Sequence, residues 1–157
     1  MKFVTYVENG KNAQRFGFIM EGHVVDVLRA AIFMNEENHE SEFLEIPSSL
    51  HACLEEWEPN LVKLQRLQDQ LANEHIADLI ANNQHVAQAE ADVQLLPPIT
   101  NPSTFRDFYA FEQHVRAARK LRGLDMHPDW FRLPIFYFSN LNALYGHGDY
   151  IPYPQNT

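Results

Sequence analysis

The sequence is poor in cysteine: among its 157 residues Cys53 stands alone. An intrachain disulfide framework and a cysteine-based zinc site are both excluded. Basic residues are scarce as well, with 12 Lys and Arg against 21 Asp and Glu and a net charge of −9. The deficit is uneven. Residues 1–100 hold 6 basic and 16 acidic side chains, a balance of −10, whereas residues 101–157 hold 6 and 5, a balance of +1. So acidic a chain is a poor partner for nucleic acid or an anionic membrane, because both need a basic surface. Long hydrophobic runs are missing, so nothing in the sequence suits a membrane span. The opening MKFVTYVENG lacks the roughly 7–15-residue apolar region of a secretory signal. A cytoplasmic protein is the expectation. Internal repeats, G-x-S-x-G, Walker A and Rossmann glycine patterns are also absent, as are H-x-x-x-H and H-E-x-x-H.

What is present is globular. Apolar residues make up 45% and aromatics 12%, enough to build a core and too much for a disordered chain. Three short runs, Lys2–Val7, Arg15–Met20 and His23–Val27, are separated by Asn9-Gly10 and Glu21-Gly22. Such spacing predicts antiparallel strands joined by hairpins. Residues 35–46 are acidic and predict an exposed connection. Pro47-Ser48-Ser49 predicts the start of a helix reaching about Trp57, with a serine as N-cap. Pro59-Asn60 predicts another, in which Leu61, Leu64, Leu67 and Leu71 form one face that Ile76, Leu79 and Ile80 extend. Cys53, beside Leu50 and Leu54, reads as a core thiol. His23, His39, His51, His75 and His85 read as surface or cap residues, and His147 as part of a turn.

Three prolines fall within Leu96–Pro102, a stretch that neither continues a helix nor suits a central strand. A domain boundary is expected there, giving an N-terminal domain over residues 1–94 and a second over 95–157. Thr104 followed by Asp107 is an N-cap signal, so a helix is expected from about Phe105 to Leu121, stopped by Gly123. Leu133–Phe138 reads as a strand. Gly146-His147-Gly148-Asp149 reads as a tight turn into a strand at Tyr150–Tyr153.

Asp107 and His114 are the chemically suggestive pair. On one helix, seven residues come within about 20° of two full turns, so both side chains would leave one face about 10.5 Å apart along the axis. A carboxylate in a first turn is favoured by the helix dipole and suits a hard cation. A histidine on the same face suits general base catalysis. The plain alternative is a capping aspartate and a surface histidine. Tyr109 lies some 160° off that face and joins it only if the first turn is irregular.

The segment Leu95-Leu96-Pro97-Pro98-Ile99, Asn101-Pro102 and Arg106-Asp107-Phe108-Tyr109-Ala110-Phe111-Glu112-Gln113-His114-Val115 closely resembles the opening of the catalytic domain in the fumarylacetoacetate hydrolase family. Arg122-Gly123, Pro128-Asp129-Trp130, Leu133-Pro134, Tyr137 and Gly146–Pro152 continue the resemblance in order. It covers Leu95–Pro154, while residues 1–94 are similar only as a variable N-terminal domain. The resemblance implies an α+β protein: a small N-terminal domain of β-hairpins and helices, then the start of a mixed-β catalytic domain. It also implies metal-dependent cleavage of a C–C bond in an acylpyruvate- or fumarylacetoacetate-like acid, as in aromatic-compound catabolism. Asp107 would then be a ligand of Mg²⁺ or Ca²⁺, and His114 would activate water. Tyr109, Tyr137 and Arg122, or Arg119 in its place, would contact a 2-oxo or diketo acid.

The family pattern continues to a Glu-x-Glu pair and an Asp that complete the metal site, and to a Glu that orients the histidine. None of these follows here. Glu40-Ser41-Glu42 and Glu56-Trp57-Glu58 have the spacing but precede Asp107, and read as solvated surface. One carboxylate does not hold such a cation in competition with water. The expectation is the N-terminal half of an enzyme, inactive alone, completed by downstream sequence or a second half-chain and homodimeric when complete. The aromatics around Phe136, Phe138 and Tyr145 are then expected to be exposed. The rival expectations are a non-catalytic docking or dimerisation module, and a hydratase or 2-oxo acid decarboxylase of the same superfamily.

Overall fold

The computed structural model describes residues 1–72, 79–80 and 85–155. Its architecture is α+β. Two compact units share the chain: Met1–Thr100 with Tyr145–Thr157, and Asn101–Leu144.

In the first unit, β1 (Lys2–Glu8), β2 (Arg15–Met20) and β3 (His23–Asp26) form an antiparallel meander. These are the strands the sequence predicts, within a residue. The turn Glu21-Gly22 joins Met20 to its partner His23, and both turn residues have positive φ. That geometry matches the twist of the flanking strands and needs glycine at the second position. Two short strands complete the sheet: β4 (Ala87–Ala89) on β3, and β5 (Val93–Leu96) on β1. Among the described residues the order is β4-β3-β2-β1-β5, antiparallel throughout.

One sheet face carries Phe16, Phe18 and Val25 into the main core. The other carries Val4, Tyr6, Val24, Val93 and Leu95 into a smaller cluster. Helices α1 (Val27–Asn38), α2 (Leu50–Glu55) and α3 (Trp57–Leu71) contribute to the main core. Val27, Ala30, Ala31 and Met34, spaced as one helical stripe, are all buried. This corrects the expected third strand, because Val27 already belongs to α1.

The acidic stretch 35–46 is likewise not a simple exposed connection. Helix α1 runs into it, and Ser41–Glu45 is a 3₁₀ turn whose Phe43 is fully buried. The glutamates face outward while one aromatic anchors the segment. Ser49 caps α2, its hydroxyl accepting from the Ala52 N–H at 3.2 Å. Helix α3 starts at Trp57, so Pro59 sits in its first turn, where its missing N–H costs nothing. Leu64, Leu67 and Leu71 are buried as the stripe predicts, as is Leu79, whereas Ile80 is exposed and Ile76 lies outside the described residues. Cys53 is buried, and burial pushes its thiol up to about 11.

Asp26 joins these elements. Its carboxylate accepts from the Tyr6 hydroxyl at 2.7 Å, from Arg15 Nε and Nη2 at 2.5 and 2.9 Å, and from the Arg29 N–H at 2.9 Å as the cap of α1. Burial raises the Tyr6 phenol well above its usual range, and the neighbouring Asp26 adds to the effect, so Tyr6 remains the donor. Glu8 forms a second node, paired with Lys11 and with Arg29 Nη2 at 2.6 Å.

Residues 97–102 contain no helix or strand. The Thr5 hydroxyl donates to the Pro98 carbonyl at 2.7 Å, and the Thr100 hydroxyl to Gln14 Oε1 at 2.8 Å. The division between the units falls inside this proline cluster, after Thr100. Leu95 and Leu96, expected to open the second domain, are part of β5, because β1 supplies a free edge for them. The Gly146–Asp149 turn also belongs to the first unit. Gly146 lies so close to the Leu95 carbonyl that a Cβ would collide with it. The Gly146 N–H donates to Asp149 Oδ2 at 2.7 Å, and Gln94 Nε2 to Asp149 Oδ1 at 3.2 Å. The turn blocks the outer edge of β5. The strand expected at Tyr150–Tyr153 does not form: these residues are irregular and none makes a sheet partner.

Two outcomes follow. Asp26→Ala leaves the buried Tyr6 hydroxyl and the half-buried Arg15 guanidinium without their partner and uncaps α1, and should lower stability by about 2–4 kcal/mol in urea denaturation. The hydrogen bond from Lys11, aided by Arg29, lowers the Glu8 carboxyl from 4.5 to about 2 against the opposing effect of burial. Its stabilisation is therefore complete above the unfolded value of 4.5 and is lost as the pH falls toward 2. Urea midpoints measured down this range should fall, and Glu8→Gln should remove part of the dependence.

Candidate functional site

The residues singled out for chemistry lie in the second unit. Two three-residue strands, β6 (Arg106–Phe108) and β7 (Phe136–Phe138), pair antiparallel. The Tyr109 N–H donates to the Ile135 carbonyl at 3.0 Å and the Ser139 N–H to the Phe105 carbonyl at 3.1 Å, extending the ladder at both ends. Helix α4 (Glu112–Leu121) follows β6.

This corrects the single helix expected over Phe105–Leu121. Arg106–Phe108 find a pairing partner in Phe136–Phe138, an aromatic run of high strand propensity, so pairing overrides the cap signal. The Thr104 hydroxyl accepts from Arg106 Nη1 at 3.2 Å and does not cap a helix. Phe111 precedes α4 and makes no side-chain cap. The two-turn relation between Asp107 and His114 is therefore void, since one is on a strand and the other in the first turn of α4. The end of the helix is as expected. The Gly123 N–H donates to the Lys120 carbonyl and the Leu124 N–H to the Arg119 carbonyl, a Schellman stop.

The fold brings the candidates together in two pairs. Asp107 stands directly opposite Tyr137 in the ladder, so their side chains leave the same face. The ring of Tyr109 meets that of His114 edge-on, 5.9 Å between centroids at 87°. Trp130 holds this turn, its Nε1–H donating to the Tyr109 carbonyl at 2.8 Å. Asp107, His114 and Tyr137 are all exposed, and Tyr109 is half-buried. Arg122 caps the end of α4 and donates to the Ala118 carbonyl, while Arg119 donates to the Asp125 carbonyl. These bonds fasten the end of α4 and do not involve Asp107.

The opposite face of the hairpin was not foreseen. The Arg106 guanidinium lies over the Phe136 and Phe138 rings, 5.3 and 5.4 Å from their centroids, and Phe108 packs against Phe136 at 5.2 Å. Arg106 and Phe108 are two residues apart, as are Phe136 and Phe138, and that spacing puts each pair on one face of its strand.

The residues present do not fit a bound Mg²⁺ or Ca²⁺. Among the described residues no group of three His, Cys, Asp or Glu side chains converges as a cation site, and Asp107 contributes one carboxylate where such ions take six or more oxygens. The upstream glutamates are engaged elsewhere: Arg66 Nη2 lies 2.7 Å from Glu42 and 3.9 Å from Glu40. The 157-residue chain should thus bind neither ion measurably in a calorimetric titration, and Asp107→Asn should leave that trace unchanged. Saturable tight binding would contradict this.

No family model matches the chain, and no curated protein matches it.

Proposed function

We propose that this chain is the N-terminal half of a cytoplasmic metal-dependent hydrolase that cleaves a C–C bond in an acylpyruvate- or fumarylacetoacetate-like acid, within aromatic-compound catabolism. The observation that supports it is the pairing of Asp107 with Tyr137 across one ladder, beside the Tyr109–His114 contact. In this reading His114, exposed in the first turn of α4, takes a proton from the attacking water. The Tyr109 and Tyr137 hydroxyls donate to the oxygens of the 2-oxo acid. Arg122 or Arg119 faces its carboxylate once released from the helix-end carbonyls. Asp107 would supply one cation ligand of the completed protein, and the others would come from downstream sequence or a second half-chain. A second reading, a docking module without chemistry, is favoured by the exposure of all three polar candidates.

The test is acylpyruvate hydrolysis with Mg²⁺. The 157-residue chain should show no turnover alone. Co-expression with the sequence encoded immediately downstream should restore it, and His114→Ala should then lower kcat by about 10²–10⁴-fold with unchanged circular dichroism. Robust turnover by the chain alone would refute the half-enzyme reading. Absence of turnover in the completed protein would favour the docking module.

A further inference from the structure

Two hollows of the first unit meet at the β5 edge of its sheet. The smaller, about 230 Å³, is lined by the start of β1, by β5 with the prolines that follow it, and by Tyr145–His147. The larger, about 470 Å³, is lined by β5 and by His147–Asp149 of the same turn. Both include Glu90, Leu95 and His147, so they form one cleft.

Its walls are held in place. Gly146 has no room for a side chain against the Leu95 carbonyl, and both Asp149 oxygens accept hydrogen bonds, one from the Gly146 N–H and one from Gln94. Glu90 is fixed through its main chain, whose N–H donates to the Gly22 carbonyl at 3.2 Å. A site built this way loses little freedom when it is filled.

The charges on the lining are unlike those elsewhere in the unit. The other five lysines and arginines of residues 1–100 are all ion-paired, whereas Lys2, on the smaller hollow, has no ion pair among the described residues. Glu90 lines the same hollow, and its half-buried carboxylate likewise has no partner among the described residues. Opposite charges thus share a cleft without meeting. Between the strands and the prolines, Phe3, Leu96 and Pro97 are half-buried and supply accessible apolar surface.

We infer that this cleft binds an α-amino acid with an apolar side chain, its carboxylate at Lys2, its ammonium at Glu90 and its side chain on Phe3, Leu96 and Pro97. Each part of the ligand answers one part of the lining. A ligand with only a carboxylate would meet Lys2 but also the free Glu90, in a segment whose charge balance is −10. One with only an amine would suit Glu90 and be repelled by Lys2. A zwitterion carries no net charge and satisfies both groups through charge-assisted hydrogen bonds. The hollow that holds both charges is smaller than the roughly 300–1,000 Å³ of sites for larger ligands, which suits a molecule of amino-acid size. No residue of the hydrolase reading takes part, so the two stand or fall separately.

Isothermal titration of the 157-residue chain with L-leucine, and with L-phenylalanine as a larger member of the class, should show saturable binding at millimolar concentration. Three relatives of leucine each lack one part: isocaproate the ammonium, isoamylamine the carboxylate and glycine the side chain. Each should bind roughly tenfold more weakly or worse. Lys2→Met and Glu90→Gln should each weaken leucine by a similar factor with unchanged circular dichroism, since neither side chain has a partner to lose. The two variants also separate the contacts. Glu90→Gln should leave isocaproate no weaker than in the parent chain, and Lys2→Met should do the same for isoamylamine. Absence of saturable binding by either amino acid, isocaproate binding as tightly as leucine, or leucine binding unmoved by both variants would overturn the proposal.

Discussion

The carboxylate of Asp26 is the point on which the first unit depends. It lies at the end of β3 and begins α1, and its four accepted hydrogen bonds come from β1, β2 and α1. An ionised carboxylate so buried costs several kcal/mol in lost hydration unless each oxygen is matched. Here the match is complete: Arg15 spans both oxygens, Tyr6 adds one donor and the helix backbone another. One polar group thus ties β1, β2 and the start of α1 to the end of β3. The apolar core around Phe18, Leu64 and Leu67 packs in the same unit.

Scarcity of cations gives the same unit its character. Of the six basic residues in 1–100, Lys11, Arg15, Arg29, Lys63 and Arg66 are all in ion pairs. The exposed pairs contribute little, since water and salt screen them. The pairs at Asp26 and Glu8 matter more, because both carboxylates are buried. An acidic chain with few cations uses its best ones where desolvation is greatest. Its other described glutamates stay at the surface, as in Ser41–Glu45, where Phe43 is the buried residue.

The same contrast explains which parts were legible in the sequence. Strands β1 to β3 were, because Glu21-Gly22 permits one hairpin geometry and the flanking runs have strand length. The buried stripe of α3 was, because leucine spacing is a local property. Helix α1 was hidden by continuity: Val24-Val25-Asp26-Val27 reads as one run, and only the capping role of Asp26 splits it. Strand β6 was hidden for the opposite reason. Thr104 and Asp107 form a local helix signal, and the competing partner, Phe136–Phe138, lies some thirty residues away. At the candidate site, residue types could be read from the chain but their grouping could not. Pairing across β6 and β7, not helical spacing, joins Asp107 to Tyr137, and an irregular turn brings Tyr109 to His114.

Residues 101–144 fold under different rules from the rest of the chain. Hydrophobic burial cannot hold them, since Val115 is their one buried residue, so directional contacts carry more weight. Trp130 ties the Pro128–Phe131 turn to Tyr109, Arg106 stacks on two rings, and the Schellman bonds close α4. Each is worth about 1 kcal/mol or a little more, too little to offset the ordering of this many residues alone. The aromatics that would make a core are instead at the surface. Covering them supplies the missing burial at roughly 25 cal/mol per Å², which over several hundred Å² exceeds every hydrogen bond in the unit. The exposed face of the hairpin is therefore the part of the structure on which the order of the candidate site depends. The ladder with β7 holds β6, and with β6 the relation of Asp107 to Tyr137.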